Sequence, residues 1–544
     1  MITGGLVGFD AVASKNGNRS LIRMKVVALV MALAVGLLPV ESARILAIFP
    51  SPAKSHQIVF RALVEGLLEK GHQLTVMSPD PLDTDNPNIT QIDWSYAYKV
   101  VDENGDVAVA TQEKWSSLRV TQKLLSVTEM FLAAELNHPE VQAMIRNPVD
   151  HFDAVIVEYF QMTPFFAFAE LYNAPMIGIT SIDSIALAHS IIGNVANAVA
   201  HPEMVHKVSR VLSFSQRLDF FITMLFTEYV LFPGEFDKYD QMIEQHFGPN
   251  MTKSVQLMNR LDFLMTNVEP ALGFVRPTVP RAIQLGFLHV KPPKPLPKDI
   301  LQYLDSSKHG VIYFSLGTLI RTKSLNAKNI GIFIDTFRSL KYDVLWKCDG
   351  QIDQIKNMSN VRLMRWVPQQ DVLAHSNVKL FVTQGGQQSM EEAVDRHVPM
   401  VVIPFNFDQF GNGDKVVERG IGKSIWMERL TTDGLRQAIL EVIENKKYKR
   451  NIERLSKLIR DQPMRPVDKA VWWTEYVIRH QGASHYRYKP AQMPAWQYHY
   501  YDVVAFLLAV TALLVAALGY AVRRFYQFLA GHRWFSTQVK QKAL

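Results

Sequence analysis

The sequence predicts an α/β protein with two doubly wound parallel-sheet domains and one C-terminal transmembrane helix. Short apolar runs alternate with longer helix-forming runs along most of the 544 residues, which favours parallel strands covered by helices on both faces. A proline-rich connector at residues 291–297 cannot form a helix or a central strand, and therefore divides the alternating series in two. Residues 503–522 are about twenty uncharged, mostly apolar residues, which is the length that a bilayer requires.

The first 42 residues are predicted to be an N-terminal extension and a secretory signal. Residues 1–23 are polar and glycine-rich, whereas Met24 leads into the apolar run 26–38 and small residues near Ser42. A basic start, a short apolar core and small residues at the end are typical of a cleaved signal peptide. Two interpretations stay open: either Met24 is the working start, or the signal has an unusually long first region.

Two alternating series follow the signal. The first domain is predicted at residues 43–288 and begins with a strand at 44–49 and a helix at about 56–70. The second domain is predicted at residues 289–485, where a strand at 311–315 follows the proline-rich connector.

The C-terminal part predicts a single-pass membrane protein. The predicted segments are juxtamembrane residues 486–502, the transmembrane helix 503–522 and a cytosolic tail at 523–544. Arg523 and Arg524 follow the apolar run, so the positive-inside rule places the tail in the cytosol and both domains in the lumen. Lys540 and Lys542, fifth and third from the end, match the dilysine pattern of type I membrane proteins resident in the endoplasmic reticulum.

Composition excludes several function classes. The formal net charge is +7, but the basic residues are spread out and are not interleaved with aromatics, so no nucleic-acid partner is expected. Cys348 is the single cysteine, so no intramolecular disulfide is possible, and no cluster has metal-ligand spacing. Sequons at Asn88, Asn250 and Asn357 predict glycosylation of a lumenal body.

A strand, a glycine turn and a helix in close succession predict a phosphate site in the second domain. The strand at residues 379–383 runs into Gln384, Gly385 and Gly386, and a helix-forming run follows at once. Unpaired N–H groups at a helix N-terminus favour an anion, and the glycines allow its close approach. The pattern is neither GxGxxG nor a P-loop, which argues against nicotinamide dinucleotides and ATP.

Further polar and aromatic residues are predicted to bind the base, the ribose and the sugar of a nucleotide sugar. Within the helical run, Gln388 and Ser389 are expected at the phosphate and Glu392 at sugar hydroxyls. Upstream, the Trp366-Val367-Pro368-Gln369 segment offers an indole for stacking on a base beside an amide for its edge. The remaining predicted donor contacts are Gly317 and Thr318 in another glycine turn, and Asp408 and Gln409, which suit the hydroxyls of a hexose.

Taken together, these motifs resemble the signature of the UDP-glycosyltransferases, in the form found in membrane-bound animal enzymes and especially in insect ones. The resemblance implies the GT-B fold of two Rossmann-like domains, with the UDP-sugar held by the C-terminal domain and the acceptor by the N-terminal one. The UDP-sugar is then a co-substrate, and no separate cofactor is expected. The chain departs from the family's common pattern at Gln384, where histidine is usual, although insect members resemble this chain there.

The resemblance also implies the catalytic pair. His56 lies at the start of the first helix, facing the C-terminal edge of the sheet, and is expected to be the base that deprotonates the acceptor. Glu158, at the end of a neighbouring strand, matches the family's carboxylate that orients the imidazole, where animal enzymes often have aspartate. Asp153 begins the same strand at its opposite end and is expected to be structural.

The identity of the acceptor is the property that the sequence predicts least well. Residues 211–232 are rich in Phe and Leu and either line an apolar acceptor pocket, touch the membrane surface, or form an ordinary core helix. The expected activity is transfer of a hexose, with glucose favoured by the insect-like resemblance, from UDP-glucose or a related UDP-hexose to a small lipophilic hydroxyl compound, with inversion. Detoxification is the expected role, and a homo-oligomer is left open.

Two alternatives belong to other classes. A catalytically weak or inactive membrane protein that binds a UDP-sugar or a lipophile is compatible with Gln384 and Glu158. A single-pass receptor explains the anchor but not the donor motifs.

Overall fold

The computed structural model describes residues 42–541 except 105–114, 149–150, 205–211, 274, 319, 321–324 and 351. Of the predicted N-terminal extension and signal at residues 1–42, only Ser42 is among the described residues, and Lys542 also lies outside them. The side chains of residues 531–541 also lie outside them.

A seven-stranded parallel sheet forms the centre of the first domain. Its strands are β1 (Arg44–Ile48), β2 (Gln73–Ser78), β3 (Ile89–Asp93), β4 (Ala154–Glu158), β5 (Met176–Thr180), β6 (Leu261–Thr266) and β7 (Ala282–Gln284). They lie in the order β3-β2-β1-β4-β5-β6-β7. Strands β4, β5 and β6 are buried along their whole length, as expected for apolar strands covered on both faces.

Helices cover both faces of this sheet. They are α1 (Lys54–Glu69), α2 (Ala97–Asn104), α3 (Ser117–Leu136), α4 (Pro139–Arg146), α5 (Ala167–Leu171), α6 (Ala186–Ile192), α7 (Phe214–Phe226), α8 (Phe232–Phe247) and α9 (Ser254–Met258). Because β1 lies between β2 and β4, the sheet changes direction there, and a crevice opens at the carboxyl ends of β1 and β4.

The second domain repeats this construction with six parallel strands. They are β8 (Val311–Ser315), β9 (Asp343–Lys347), β10 (Val361–Met364), β11 (Val378–Thr383), β12 (Met400–Val402) and β13 (Gly422–Ser424), in the order β10-β9-β8-β11-β12-β13. The helices are α10 (Lys298–Ser306), α11 (Ala327–Arg338), α12 (Gln369–Leu373), α13 (Gln387–Asp395), α14 (Asp408–Glu418), α15 (Thr432–Glu444) and α16 (Lys446–Arg460). The predicted architecture of two doubly wound domains is confirmed.

One helix predicted for the second domain packs on the first. In α17 (Pro466–Arg479), Ala470 and Val471 join the core formed by β1 and α1. At Gly66 of α1 a β-carbon would lie 2.6 Å from Val467 Cγ2, so only glycine allows this close approach. The predicted boundary at residue 485 therefore needs correction, because the chain returns to the first domain before it reaches the membrane segment.

A long helix ends the described chain. After the short helix α18 (Ala495–Tyr498), α19 covers Tyr501–Gln541. Within its part from Tyr501 to Ala530, a window of 18 residues has a mean hydropathy of 2.5, and none of that window is buried. The helix is therefore long and apolar enough to cross a membrane, and it contains the predicted span 503–522. The same helix continues into the predicted tail without a break.

The described part of the predicted apolar stretch, residues 212–232, is not a core helix. Within α7 only Phe220 is buried, whereas Phe214, Phe221 and Ile222 are exposed. An amphipathic pattern alone does not say which face the rest of the molecule covers, and here much of the apolar surface faces outward.

Candidate active site

Two neighbouring strands bring the predicted catalytic residues together. Strands β1 and β4 pair in parallel with Ile48 opposite Val157, so α1 starts close to the end of β4. His56 Nδ1 lies 3.0 Å from Glu158 Oε1, and the backbone N–H of Ser51 donates to Glu158 Oε2 at 2.9 Å. Glu158 is buried, while the His56 side chain is 23% exposed. A carboxylate at Nδ1 favours the tautomer with its proton there, which leaves Nε2 as the acceptor of a proton.

Asp153 has the structural task expected of it. Its Oδ2 accepts a hydrogen bond from the backbone N–H of Arg44 at 2.8 Å, which ties the beginning of β4 to the beginning of β1.

Two glycine turns face each other at the start of α13. Gly317 and Gly385 have φ angles of +75° and +86°, in the left-handed region that favours glycine. A β-carbon on Gly317 would lie 2.2 Å from Gln384 Nε2. Gln384 is buried, and among the described residues its Oε1 has no hydrogen-bond partner. The turn that is predicted to hold the diphosphate is thus narrow and lined by an amide.

Asp408 caps α13, which the sequence did not predict. Its Oδ2 accepts from the backbone N–H of Gln387 at 3.1 Å and from Asn412 Nδ2 at 2.7 Å. Burial raises the pKa of Asp408, against the lowering effect of the positive charges of Lys415 and His56.

Trp366, which is predicted to stack on the base of the nucleotide, is exposed and lies beside a lysine. The Trp366 side chain is 66% exposed, and Lys347 Nζ lies 5.3 Å from the centroid of its ring. Lys347 Nζ also donates to the carbonyl oxygen of Gly317 at 2.8 Å. Burial lowers the pKa of Lys347. A single lysine at the end of a strand carries no sequence signal, so this residue was missed.

Three of the predicted donor residues, Gln369, Ser389 and Glu392, form one hydrogen-bonded group. Gln369 Nε2 donates to Ser389 Oγ at 2.9 Å and to Glu392 Oε2 at 2.6 Å. The Tyr313 hydroxyl donates to Gln369 Oε1 at 3.1 Å. Val367 is buried in the core of the second domain, so only its backbone is available to a nucleotide.

Two other predicted donor residues make contacts within the protein. Gln388 Nε2 donates to the carbonyl oxygen of Ser181 in the first domain at 2.9 Å. Gln409 Oε1 accepts from the backbone N–H groups of Phe405 and Asn406 at 2.8 and 3.1 Å. Thr318 is exposed beside the glycine turn.

Comparison with known proteins decides the family. The family described as "UDP-glucoronosyl and UDP-glucosyl transferase" matches residues 44–534. The chain belongs to the UDP-glycosyltransferase family. UDP-glucosyltransferase 2 of Dactylopius coccus is 31% identical over 505 residues, which cover 92% of this chain and 96% of the relative. An ecdysteroid UDP-glucosyltransferase of Spodoptera littoralis nuclear polyhedrosis virus is 32% identical over 88% of this chain and 96% of its own.

More distant relatives agree. UDP-glucuronosyltransferase 2B33 of Macaca mulatta is 27% identical over 85% of this chain and 89% of its own. The solved glycotransferase of kitacinnamycin has a TM-score of 0.56 and 18% identity, covering 81% of this chain and 99% of that one. The two-domain arrangement is thus the GT-B fold, and the protein is a UDP-glycosyltransferase enzyme.

In this UDP-glycosyltransferase a buried polar cluster joins the domains next to the hydrogen-bonded group of Gln369, Ser389 and Glu392. His289 lies with Nδ1 3.5 Å from Glu391 Oε2 and with Nε2 3.3 Å from Glu392 Oε1. Asn267, at the end of β6, donates through Nδ2 to Glu391 Oε2 at 3.0 Å. Burial raises the pKa of Glu391 to about 7. Burial lowers the pKa of His289, but Glu392 and Glu391 together raise it above its usual value.

Sequence reasoning missed this cluster. The adjacent carboxylates of Glu391 and Glu392 were a signal, because two neighbouring acids on one buried helix face require partners. Nothing local identifies His289 or Asn267 as those partners.

A cavity of about 120 Å³ lies between the domains next to Asp408. Its wall mixes apolar side chains such as Leu272 and Met390 with charged ones. There Arg276 pairs with Asp183, with Nη2 3.2 Å from Oδ2, and burial raises the pKa of Glu203 to about 7. The wall suits a molecule that has both apolar surface and polar groups.

The sequons differ in accessibility. Asn250 and Asn357 are exposed, and Asn88 is half-buried at the beginning of β3.

Proposed function

We propose that this enzyme transfers glucose from UDP-glucose to a hydroxyl group of a small lipophilic compound, with inversion at the anomeric carbon. The observation that carries the proposal is the His56–Glu158 pair, with Nδ1 and Oε1 3.0 Å apart, at the crevice between the carboxyl ends of β1 and β4. The relatives named UDP-glucosyltransferase support glucose as the sugar. The viral relatives named for ecdysteroids support a lipophilic acceptor that carries hydroxyls.

In this mechanism His56 acts as the base. Its Nε2 takes the proton of the acceptor hydroxyl while the oxygen attacks the anomeric carbon. The bond between that carbon and the diphosphate oxygen breaks, and its electron pair leaves with UDP. Glu158 remains ionised and stabilises the imidazolium that forms. Attack from the face opposite the leaving group inverts the anomeric carbon.

The second domain holds the donor. Trp366 stacks on uracil, and Gln369 hydrogen-bonds the edge of the base. Ser389 donates to the phosphate, and Glu392 accepts from sugar hydroxyls. Two further groups stabilise the charge that develops on the leaving diphosphate: the N–H groups at the start of α13 and the amide of Gln384. Asp408 binds the glucose hydroxyls through Oδ1, since Oδ2 is committed to α13.

The proposed location of the enzyme is the membrane of the endoplasmic reticulum. α19 anchors the enzyme in the endoplasmic-reticulum membrane as a type I protein, with both domains in the lumen. Arg523 and Arg524 at the end of the apolar run support the cytosolic position of the tail. The exposed sequons Asn250 and Asn357 agree with a lumenal body.

The test measures transfer of labelled sugar by microsomes that contain the full chain. UDP-glucose, UDP-galactose and UDP-glucuronate are each offered with phenols, apolar alcohols and ecdysteroids. We expect transfer that prefers UDP-glucose and is lost in His56→Ala, while UDP binding persists because His56 lies in the other domain. Equal transfer by His56→Ala and wild type would refute the assignment of the base.

A second candidate is a protein that binds a UDP-sugar with little or no turnover. Gln384 favours it, because a neutral amide stabilises a departing diphosphate less than a charged group does. The same experiment separates the two: binding of UDP that depends on Trp366, without transfer from any of the three donors, supports the binding protein.

A further inference from the structure

One side of α7 exposes a continuous row of apolar side chains, which extends into the π-helical turn Thr227–Leu231. We call this row the outer stripe; it consists of Phe214, Leu218, Phe221, Ile222, Leu225 and Tyr229, which are between 36% and 71% exposed. Their spacing of three or four residues, or of adjacent positions, places them on one side of a helix. From Phe214 to Tyr229 the stripe is about 22 Å long at 1.5 Å per residue.

The outer stripe belongs to a well-formed helix with a fixed orientation. Ser213 and Gln216 form a capping box: Ser213 Oγ accepts from the Gln216 N–H at 3.3 Å, and Gln216 Oε1 accepts from the Ser213 N–H at 2.9 Å. At its other end α7 continues through a π-helical turn at Thr227–Leu231 into α8, whose Tyr239 is part of the core. The stripe is therefore displayed by the body of the first domain and is not a loose segment.

The insertion that contains α7 also contacts the segment that precedes the membrane helix. α7 lies between β5 and β6 in the chain. Tyr488 packs on Gly193 in that insertion so closely that a β-carbon there would lie 2.4 Å from Tyr488 Cδ1. Tyr501, where α19 begins its exposed apolar span, follows Tyr488 by 13 positions in the chain.

We propose that the outer stripe lies in the interfacial layer of the bilayer that α19 crosses. An amphipathic helix binds there by burying its apolar face among the acyl chains near the headgroups. The aromatic residues Phe214 and Tyr229, near its two ends, suit this layer. Because α19 already holds the domain at the membrane, the second contact forms at high effective concentration and needs little intrinsic affinity. The lipid contact fixes how the domain lies on the membrane.

The experiment measures lipid contact in the full chain. The natural Cys348 is buried, so Ile222→Cys introduces a single exposed thiol for a fluorescent label. The matched control is Leu458→Cys on α16 of the second domain, where the leucine is 60% exposed compared with 55% for Ile222. Both proteins are placed in phosphatidylcholine vesicles with a nitroxide-labelled phosphatidylcholine whose spin label lies near the headgroup end of the acyl chain.

We expect the nitroxide to quench the Ile222→Cys label at least about twofold more than the Leu458→Cys label, as for a helix buried in the interface. Equal quenching at the two positions would overturn the proposal. So would oxidative cross-linking between two Ile222→Cys chains without lipid quenching, which would identify a second copy as the occupant.

UDP binding equal to that of the wild type shows that each labelled variant is folded. If Ile222→Cys fails this control, Tyr229→Cys replaces it, since Tyr229 is 70% exposed at the other end of the outer stripe.

Discussion

Replacing Glu158 by glutamine tests the proposed base without changing the shape of the site. Ser51 donates its backbone N–H to Oε2 at 2.9 Å, so the amide oxygen of the variant takes that position. The amide NH₂ then falls at the Oε1 position, 3.0 Å from His56 Nδ1. An NH₂ group donates, so Nδ1 has to accept and Nε2 carries the proton. In that tautomer His56 is unable to take the acceptor's proton.

The expected loss is large because two effects combine. The imidazolium loses its anionic partner, and the productive tautomer becomes the minor one. Replacing an orienting carboxylate by its amide in a related His–carboxylate arrangement lowers kcat by about 10⁴, or ~5 kcal/mol of transition-state stabilisation. We expect a decrease of about 10³ to 10⁴ in Glu158→Gln. Glu158→Asp keeps the charge but shortens the reach by one methylene, so a decrease of about tenfold is expected.

The assay is the rate of glucose transfer at saturating UDP-glucose, together with the Kd for UDP. Because Glu158 lies in the first domain and the predicted UDP contacts lie in the second, the Kd is expected to be unchanged in both variants. A Glu158→Gln variant that retains more than about a tenth of the wild-type kcat would refute the orienting role of Glu158.

Three further perturbations follow from the geometry. Gly317→Ala places a β-carbon on a left-handed backbone and against Gln384, so it is expected to lower the free energy of unfolding by about 2 kcal/mol and to weaken UDP binding. Stability is measured by denaturant unfolding. The control Gly331→Ala, in open space on α11, should raise the free energy of unfolding by about 0.5–1 kcal/mol in the same assay. Trp366→Ala should raise the Kd for UDP about tenfold by calorimetry, and an unchanged Kd would contradict stacking. Glu391 holds its proton to about pH 7 in the folded state and to about 4.5 unfolded, so it makes the fold less stable as pH rises between these values. Between these two pH values the ionisation of Glu391 lowers the free energy of unfolding by about 3 kcal/mol in total, and Glu391→Gln should abolish this decrease. The measurement is the free energy of unfolding at several pH values across this range, and an equal decrease in the variant would contradict the raised pKa.

Much of the fold and of the donor site could be predicted from local sequence. The strand, glycine turn and helix at residues 379–394 are formed by neighbouring residues, so their pattern survives any tertiary arrangement. The same holds for the alternation of strands and helices, and for the long apolar run near the C-terminus. His56 and Glu158 are 102 residues apart, and they could be paired only through the resemblance to a family.

What the sequence determined by itself is the class of protein: two parallel-sheet domains, a glycine turn at the start of α13 and an apolar C-terminal helix, because each depends on residues close together in the chain. Tertiary structure decided the rest. It placed Asp408 at the N-terminus of α13, tied His289 to Glu391 and returned α17 to the first domain, since these contacts join distant segments. It also decided that α7 shows its apolar stripe to the outside, because periodicity describes a face but not what covers it.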